Sequence, residues 1–522
     1  MPVDSNEIYE RGLTLLREGA LDESETAFRE SIRLAPHMPE PHHALAMILV
    51  QRGDIEGWMR ELEETLRIAP EHPGAHADLG FAYFNTQRFD DAACALQKAI
   101  DLGLKDPRLF LGLGLANINR GEIAMALSNL GDAIDLDPNN PEPHHHVGLI
   151  HFVSGNPQEA VKSWSEVVRL APEQAQGHQN LGSAYLELGR YDEAISEYET
   201  ASSFAPGDFE PLLLTSIAYD RKGDLQSAFE ALERLYALDE NNAPAHHQHG
   251  VLLMQKGEAD AALAQYAMAI ELAPEYPDPH LSLGVYYASA GDADRSIAEL
   301  TEAARLNPHD ARPLTQIGVI RHSQGMLEDA FKAYSTAIER NPMDAQALFN
   351  MSMLLWENNQ TDQALDTMRK ASGADPNNPA TLSNLGVMLI QKGQLDAAIE
   401  TFRNAISLAP ENSALEHNLG LAFLQNRQTH AAIAALHRAV AIDTNNAAAY
   451  FDLAKALDEG GDTLGAIEAL REVVRLRPDD QEAAKMLEAS VEATISEPDA
   501  PQAPEATPTG WFKGLFGKKS QS

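Results

Sequence analysis

Residues 175–208 read AQGHQNLGSAYLELGRYDEAISEYETASSFAPGD, two amphipathic segments joined at Gly189 and closed by Pro206. The first segment, helix A, and the second, helix B, each place apolar residues at i, i+3 and i+4 spacing, the pattern of a helix burying one face. Working outward, the closing proline recurs at Pro36, Pro70, Pro138, Pro172, Pro206, Pro274, Pro308, Pro342, Pro376, Pro410 and Pro478, always 36 plus a multiple of 34. Leu104, Glu240 and Thr444 occupy the three beats it skips, so the phase is never lost. Proline lacks an N–H and clashes with the preceding turn, which ends helix B in each unit. A period of 34 residues is the length of one helix–turn–helix repeat.

Fourteen units follow without insertion or deletion, the first at 5–38 and each later one starting 34 residues on, to the last at 447–480. In such an array each unit touches only its neighbours, so the length of 522 residues does not imply three or four globular domains. The predicted fold is an all-α, right-handed superhelical solenoid over residues 1–480. A capping helix over 481–496 covers its end, with Ala484, Leu487 and Val491 inward and Glu482, Lys485, Glu488 and Glu492 outward.

Position 8 of the unit is glycine at 12, 80, 114, 148, 182, 250, 284, 318, 386 and 420, with Ala46, Ser216, Ser352 and Ala454 elsewhere. Mid-helix glycine costs roughly 0.5–1 kcal/mol relative to alanine, so its recurrence requires a steric reason. Position 20 is alanine or serine in almost every unit, from Ser24 to Ala466, and the two small positions are expected to meet where helix A crosses helix B. Position 24 then fills space with residues such as Phe28, Trp164, Tyr198 and Phe402, and position 7 with leucines such as Leu181 and Leu385. Trp58 falls on the position-20 slot, which predicts either a distorted unit or an outward ring.

These residues resemble the tetratricopeptide repeat family: Leu181, Gly182, Tyr185, Ala194, Tyr198, Ala201 and Pro206 fall on its signature positions in order. The usual aromatic at position 4 is replaced by His42, His76, His144, His178, His246 and His280. With the asparagines at position 6 and leucines at 7, this is similar to the repeat array of O-GlcNAc transferases. Residues after 480 are too few for a transferase domain, so the transfer activity does not carry over.

The resemblance implies that A helices line an inner surface and that positions 2, 5, 6, 9, 12 and 13 face it. Position 6 carries Asn180, Gln248, Gln316, Asn350, Asn384 and Asn418, amides that can pair with a peptide N–H and C=O whatever the peptide's side chains. The asparagines resemble the ladder that holds extended peptide in O-GlcNAc transferase arrays. Position 9 is apolar nearly throughout, with Phe81, Val251, Val285, Val319, Met353, Val387 and Leu421, and Trp356 at position 12 is a candidate anchor. Position 13 is polar again, with Asn85, Asn119, Gln255, Gln391 and Gln425. An apolar floor between amide rails suits an extended, partly apolar segment; the plainer reading is that position 9 only supports neighbouring helices.

The chain has 39 Lys plus Arg against 78 Asp plus Glu, a formal charge of −39, which opposes binding to nucleic acid and favours basic or neutral protein partners. Arg17, Arg108, Arg221, Arg312 and Lys455 are too scattered among acids to clamp carboxylates. The histidine runs 144–146 and 246–249 lack Cys or a His-Glu-x-x-His spacing, so packing is expected and neither metal nor cofactor is called for. Cys94, the one cysteine, excludes an internal disulfide and reads as a buried or neutral thiol. No P-loop, dinucleotide fingerprint or Gly-x-Ser-x-Gly occurs, so no enzyme activity is expected. No run of eighteen apolar residues exists and the start MPVDSNEIYE lacks a leader pattern, which reads as cytoplasmic.

After the cap, 497–509 is a proline-rich spacer and 510–522 a basic-aromatic tail carrying Trp511, Phe512, Lys513, Leu515, Phe516, Lys518 and Lys519. Trp511 with Leu515, and Phe512 with Phe516, would share a helical face beside cations. The tail could enter an anionic membrane interface, dock in a partner's groove, or fold back on the array's own acidic surface. The predicted function is therefore a non-catalytic protein–protein interaction scaffold gripping extended peptide. The alternative is a targeting or regulatory subunit that recruits an enzyme or a secretion or assembly component to its client.

Overall fold

The computed structural model describes residues 4–496, which form 29 helices joined by short turns, with no strand among the described residues. By packing, the chain divides into two units, one ending at Pro274 and the other beginning at Glu275. Within each, helices alternate A and B in the expected register, each A helix packing on its own B helix and each B helix on the next A.

Local chemistry sets the ends of each helix. Pro39, Pro73, Pro107, Pro141, Pro277 and Pro379 open A helices at a position where the missing N–H is no loss. Asp106, Asn140, Asn242, Asp344, Asn378, Asn412 and Asn446 cap A helices by accepting from a first-turn amide, worth ~1 kcal/mol each. Every A helix ends at a residue with positive φ at unit position 15, glycine in most units but Gln87, Asn359 and Arg427 in three.

The A–B crossing explains the glycine at position 8. A Cβ on Gly182 would lie 2.7 Å from Tyr198 Cε1, on Gly386 2.6 Å from Phe402 Cζ, and on Gly250 2.5 Å from Tyr266 Cε1 and 3.1 Å from the Ala262 carbonyl oxygen. Position 8 therefore faces two things, the backbone of position 20 and the side chain of position 24. Helix backbones come close enough that Ser24 Oγ donates to the Gly12 carbonyl at 2.8 Å and Ser296 Oγ to that of Gly284 at 2.6 Å. Every aromatic at position 24, from Phe28 to Phe402, stands opposite a glycine. Where position 8 has a Cβ, at Ala46, Ser216, Ser352 and Ala454, the opposing residue is Leu62, Leu232, Met368 or Leu470.

Three expectations are corrected. Trp58 neither points outward nor breaks its helix: it is buried in the regular helix Ile55–Ile68, in a core cluster that also holds Ala44, Ala46 and Ala75. Cys94 is exposed rather than buried. The cap, helix Gln481–Ser496, is rotated by one residue from the expected face, since Ala483 is fully buried while Ala484 is exposed. Met486 and Leu487 pack against the same core, and Val491 is half-buried.

Candidate functional site

A helices approach the A helix of the neighbouring unit, as Pro73–Asn85 does Pro107–Asn119 in the first half and Pro379–Gln391 does Ser413–Gln425 in the second. The A side is thus the tighter side of each stack. A polar stitch with an offset of 35 residues crosses it: His43 Nε2 with Asp78 at 2.8 Å, His145 Nδ1 with Asn180 at 3.3 Å, and His417 Nε2 with Asp452 at 2.7 Å, joining position 5 to position 6 of the next unit. The same offset joins position 12 to 13, where Asp220 accepts from Gln255 at 2.7 Å and His322 meets Glu357 at 2.8 Å. One offset at both ends of the helices means that successive A helices run parallel.

In the first half, Phe81 and Val251 are half-buried on this face, Asn180 is half-buried and bonded to Gln176 and His145, and Gln248 is 7% exposed with its amide donating to Asp220 at 3.1 Å. Gln248 is therefore already engaged inside the protein. In the second half, Val285 and Val319 are exposed, at 46% and 39%, beside a half-buried Gln316.

Helices Ala345–Glu357, Pro379–Gln391 and Ser413–Gln425 form the most uniform stretch. They contain no lysine or arginine, and their carboxylates are limited to Glu357 at one end and a buried Glu416 held bidentately by Arg438 at 2.7 and 2.9 Å. Asn350, Asn384 and Asn418 are half-buried along one edge, and Met353, Val387 and Leu421 lie one helical turn further on, also half-buried. Trp356, Ile390 and Leu424 continue the apolar strip and pack on the core below. Asn350 accepts from Gln346, yet its amide nitrogen is buried with no partner among the described residues. Asn384 donates only to the carbonyl of Ala380 in its own helix, and Asn418 has no partner among the described residues. Gln391 and Gln425 are exposed at position 13. The sequence-predicted residues from Asn350 to Leu421 thus lie on one stretch of three successive A helices, apart from Val285, Gln316 and Val319 on the two A helices before it.

The position-4 histidines do not reach this face. His42, His178 and His280 place Nδ1 within 2.6–2.7 Å of Glu61, Glu197 and Glu299, and His246 meets Gln265 at 2.7 Å, always 19 residues on and in helix B. His76 and His178 direct Nε2 at the carbonyls of Pro70 and Pro172, at 2.8 and 2.9 Å, so the ring staples its unit to the turn before it. The acidic or amide residue at position 23 was the signal for this in the sequence, and periodicity of apolar residues alone does not register it. The histidine runs disperse: Tyr236 contacts His246 and His249, while His145 turns to Asn180. Burial, reinforced by His145, holds the His146 imidazole down at about 4. Among the described residues no three metal-ligating side chains converge.

No described helix is long and apolar enough to cross a membrane. Residues 511–519, the expected docking positions of the tail, lie outside the described residues.

A face of stacked parallel helices repeated unit after unit defines a helical repeat protein of the kind that serves as a protein–protein interaction scaffold. Models of the tetratricopeptide repeat match residues 77–141, 148–209, 322–379 and 349–413, and further models of the same repeat match 250–291 and 423–491. The chain belongs to the tetratricopeptide repeat family. Among solved structures it is similar to the APC/C hetero-tetramer Cut9-Hcn1, with 16% identity over 94% of this chain and 96% of that one and a TM-score of 0.40. It is also similar to YrrB, described as a TPR protein with an unusual peptide-binding site, at 21% identity over 36% and 97% of the two chains and a TM-score of 0.34. MamA gives 23% identity over 31% and 95%, with a TM-score of 0.30. No curated protein matches the chain.

Proposed function

We propose that the protein is a non-catalytic scaffold that grips extended, partly apolar and neutral or basic polypeptide segments on its A-helix face, chiefly on the helices spanning 345–425. The observation that carries this reading is the half-buried amide edge of Asn350, Asn384 and Asn418 beside an apolar strip, with Asn384 bonded only within its own helix and Asn418 without a partner among the described residues. Half-buried Met353, Val387 and Leu421 supply apolar contact for side chains that alternate along an extended strand. The acidity of the whole chain, −39, favours segments carrying lysine or arginine.

The test is an immobilised array of dodecapeptides alternating leucine with serine and bearing none to three lysines, probed with the full chain. Lysine-bearing members are expected to bind best, and Asn350→Ala/Asn384→Ala/Asn418→Ala to bind at least tenfold more weakly. Equal binding by the two proteins refutes the reading.

A further inference from the structure

The second half of the chain carries both the charge-poor strip over 345–425 and, 71 residues after Gln425, the last described residue, Ser496. Helix Gln481–Ser496 stands in the A register, 34 residues after Ala447–Glu459, and packs on the helix before it through Ala483, Met486 and Leu487. Its C-terminal end therefore lies on the side of the stack where Trp356, Ile390 and Leu424 sit near the ends of their own A helices. Residues 497–509 are thirteen in number with prolines at 498, 501, 504 and 508. A proline-rich chain of that length reaches about 40 Å if fully extended, at about 3.1 Å per residue. Adjacent packed helices stand about 8–10 Å apart, so three A-to-A steps back, to Pro379–Gln391, need about 30 Å.

Charge selects among what could cover the strip. Asp458 and Glu459 are exposed at the end of the A helix that separates the strip from the cap, and neither has an ion pair among the described residues. Residues 510–519 join Trp511, Phe512, Leu515 and Phe516 to Lys513, Lys518 and Lys519 in a chain that is otherwise strongly acidic.

We propose that the chain's own C-terminal segment, residues 510–519, docks in cis on the apolar strip of Met353, Trp356, Val387, Ile390 and Leu424, with its lysines toward Asp458 and Glu459, and so competes with external peptides for the groove. This rests on the groove reading above and adds its regulation. The aromatic side chains cover the strip, and the Asn350, Asn384 and Asn418 edge holds the segment's backbone. An external partner then binds only by displacing the tail, whose tether keeps its effective concentration high.

The full chain is compared with its Trp511→Ala/Phe512→Ala/Leu515→Ala/Phe516→Ala variant on the same dodecapeptide array, and the full chain with a photo-crosslinker in place of Phe512 is mapped by mass spectrometry. Expected are at least fivefold tighter array binding by the variant, and crosslinks from 512 to 350–425 that stay within one molecule when isotopically heavy and light chains are mixed. Adding a synthetic 510–522 peptide to the variant is expected to restore weak array binding. Heavy-to-light crosslinks would place a second copy on the strip and overturn the cis proposal. So would equal array binding by wild type and variant, including the case in which the tail instead sediments with vesicles of phosphatidylcholine and phosphatidylglycerol. Array binding that is strong, Asn-dependent and indifferent to the tail overturns this inference alone. Binding indifferent to Asn350, Asn384 and Asn418 overturns the groove reading beneath it.

Discussion

Replacing Gly182 with alanine tests the rule that pairs position 8 with position 24. The added Cβ would stand 2.7 and 2.9 Å from Tyr198 Cε1 and Cδ1, and Tyr198 is fully buried. Alanine gains roughly 0.5–1 kcal/mol of helix propensity over glycine. Overpacking a rigid ring costs about 1–3 kcal/mol, so the net expectation is a loss of about 0–2.5 kcal/mol, centred near 1. Tyr198→Leu alone loses ring volume and the hydroxyl contact with Ser183 at 3.1 Å, on the order of 3 kcal/mol in all. In the double variant leucine faces the new methyl as Leu62 faces Ala46 and Leu470 faces Ala454, pairings that the array accommodates with all four residues buried. The two changes should therefore offset each other by about 1–2 kcal/mol in a double-mutant cycle. An array of units need not unfold in one step, so the readout is hydrogen exchange of peptides from Ala175–Glu187 and Tyr191–Phe204, with urea titration beside it. A Gly182→Ala that is clearly stabilising, or strictly additive changes in the cycle, would refute the steric account.

Arg427 sits at φ 57°, where the other units mostly place glycine; Arg427→Gly should raise the urea midpoint by the equivalent of about 0.5–1 kcal/mol, and a lowered midpoint would count against strain at this turn. His146 is held at about 4 by burial, below its ordinary 6.5, so folding favours the neutral ring; its contribution is complete above about pH 6.5 and is lost as pH falls toward 4. Allowing for the ring's partial exposure, His146→Gln should remove on the order of 1–2 kcal/mol of the acid-side stability loss, and an unchanged pH profile from 7 to 4.5 would exclude the assignment. Arg438→Met leaves the 5% exposed Glu416 carboxylate without its bidentate partner and should cost about 2 kcal/mol, whereas Glu416→Gln/Arg438→Met together should cost less; equal costs would mean the pair is not coupled.

Much of the candidate site was legible in the sequence because position along a helix sets direction. Asn350, Asn384 and Asn418 recur at one register, so they had to share one face, and Met353, Val387 and Leu421 had to lie beside them. Which of the position-6 residues remain available was not readable. Gln248 occupies the same register and is buried against Asp220, a residue 28 positions earlier that no local pattern links to it. The pairing of His42, His178 and His280 with glutamates 19 residues on was likewise invisible to apolar periodicity, since it joins polar groups across two helices.

The 34-residue beat of proline, the glycine at position 8 and the small residue at position 20 determined by themselves that the chain folds as stacked two-helix units, because each acts within one hairpin whose ends are close in sequence. Only the tertiary packing decided that Trp58 turns into the core, that Ala483 rather than Ala484 seals the last unit, and that position 24 is what the glycine makes room for. Those outcomes depend on the space left by side chains from neighbouring helices, and shape complementarity at a few tenths of an ångström is not written in the period of a pattern.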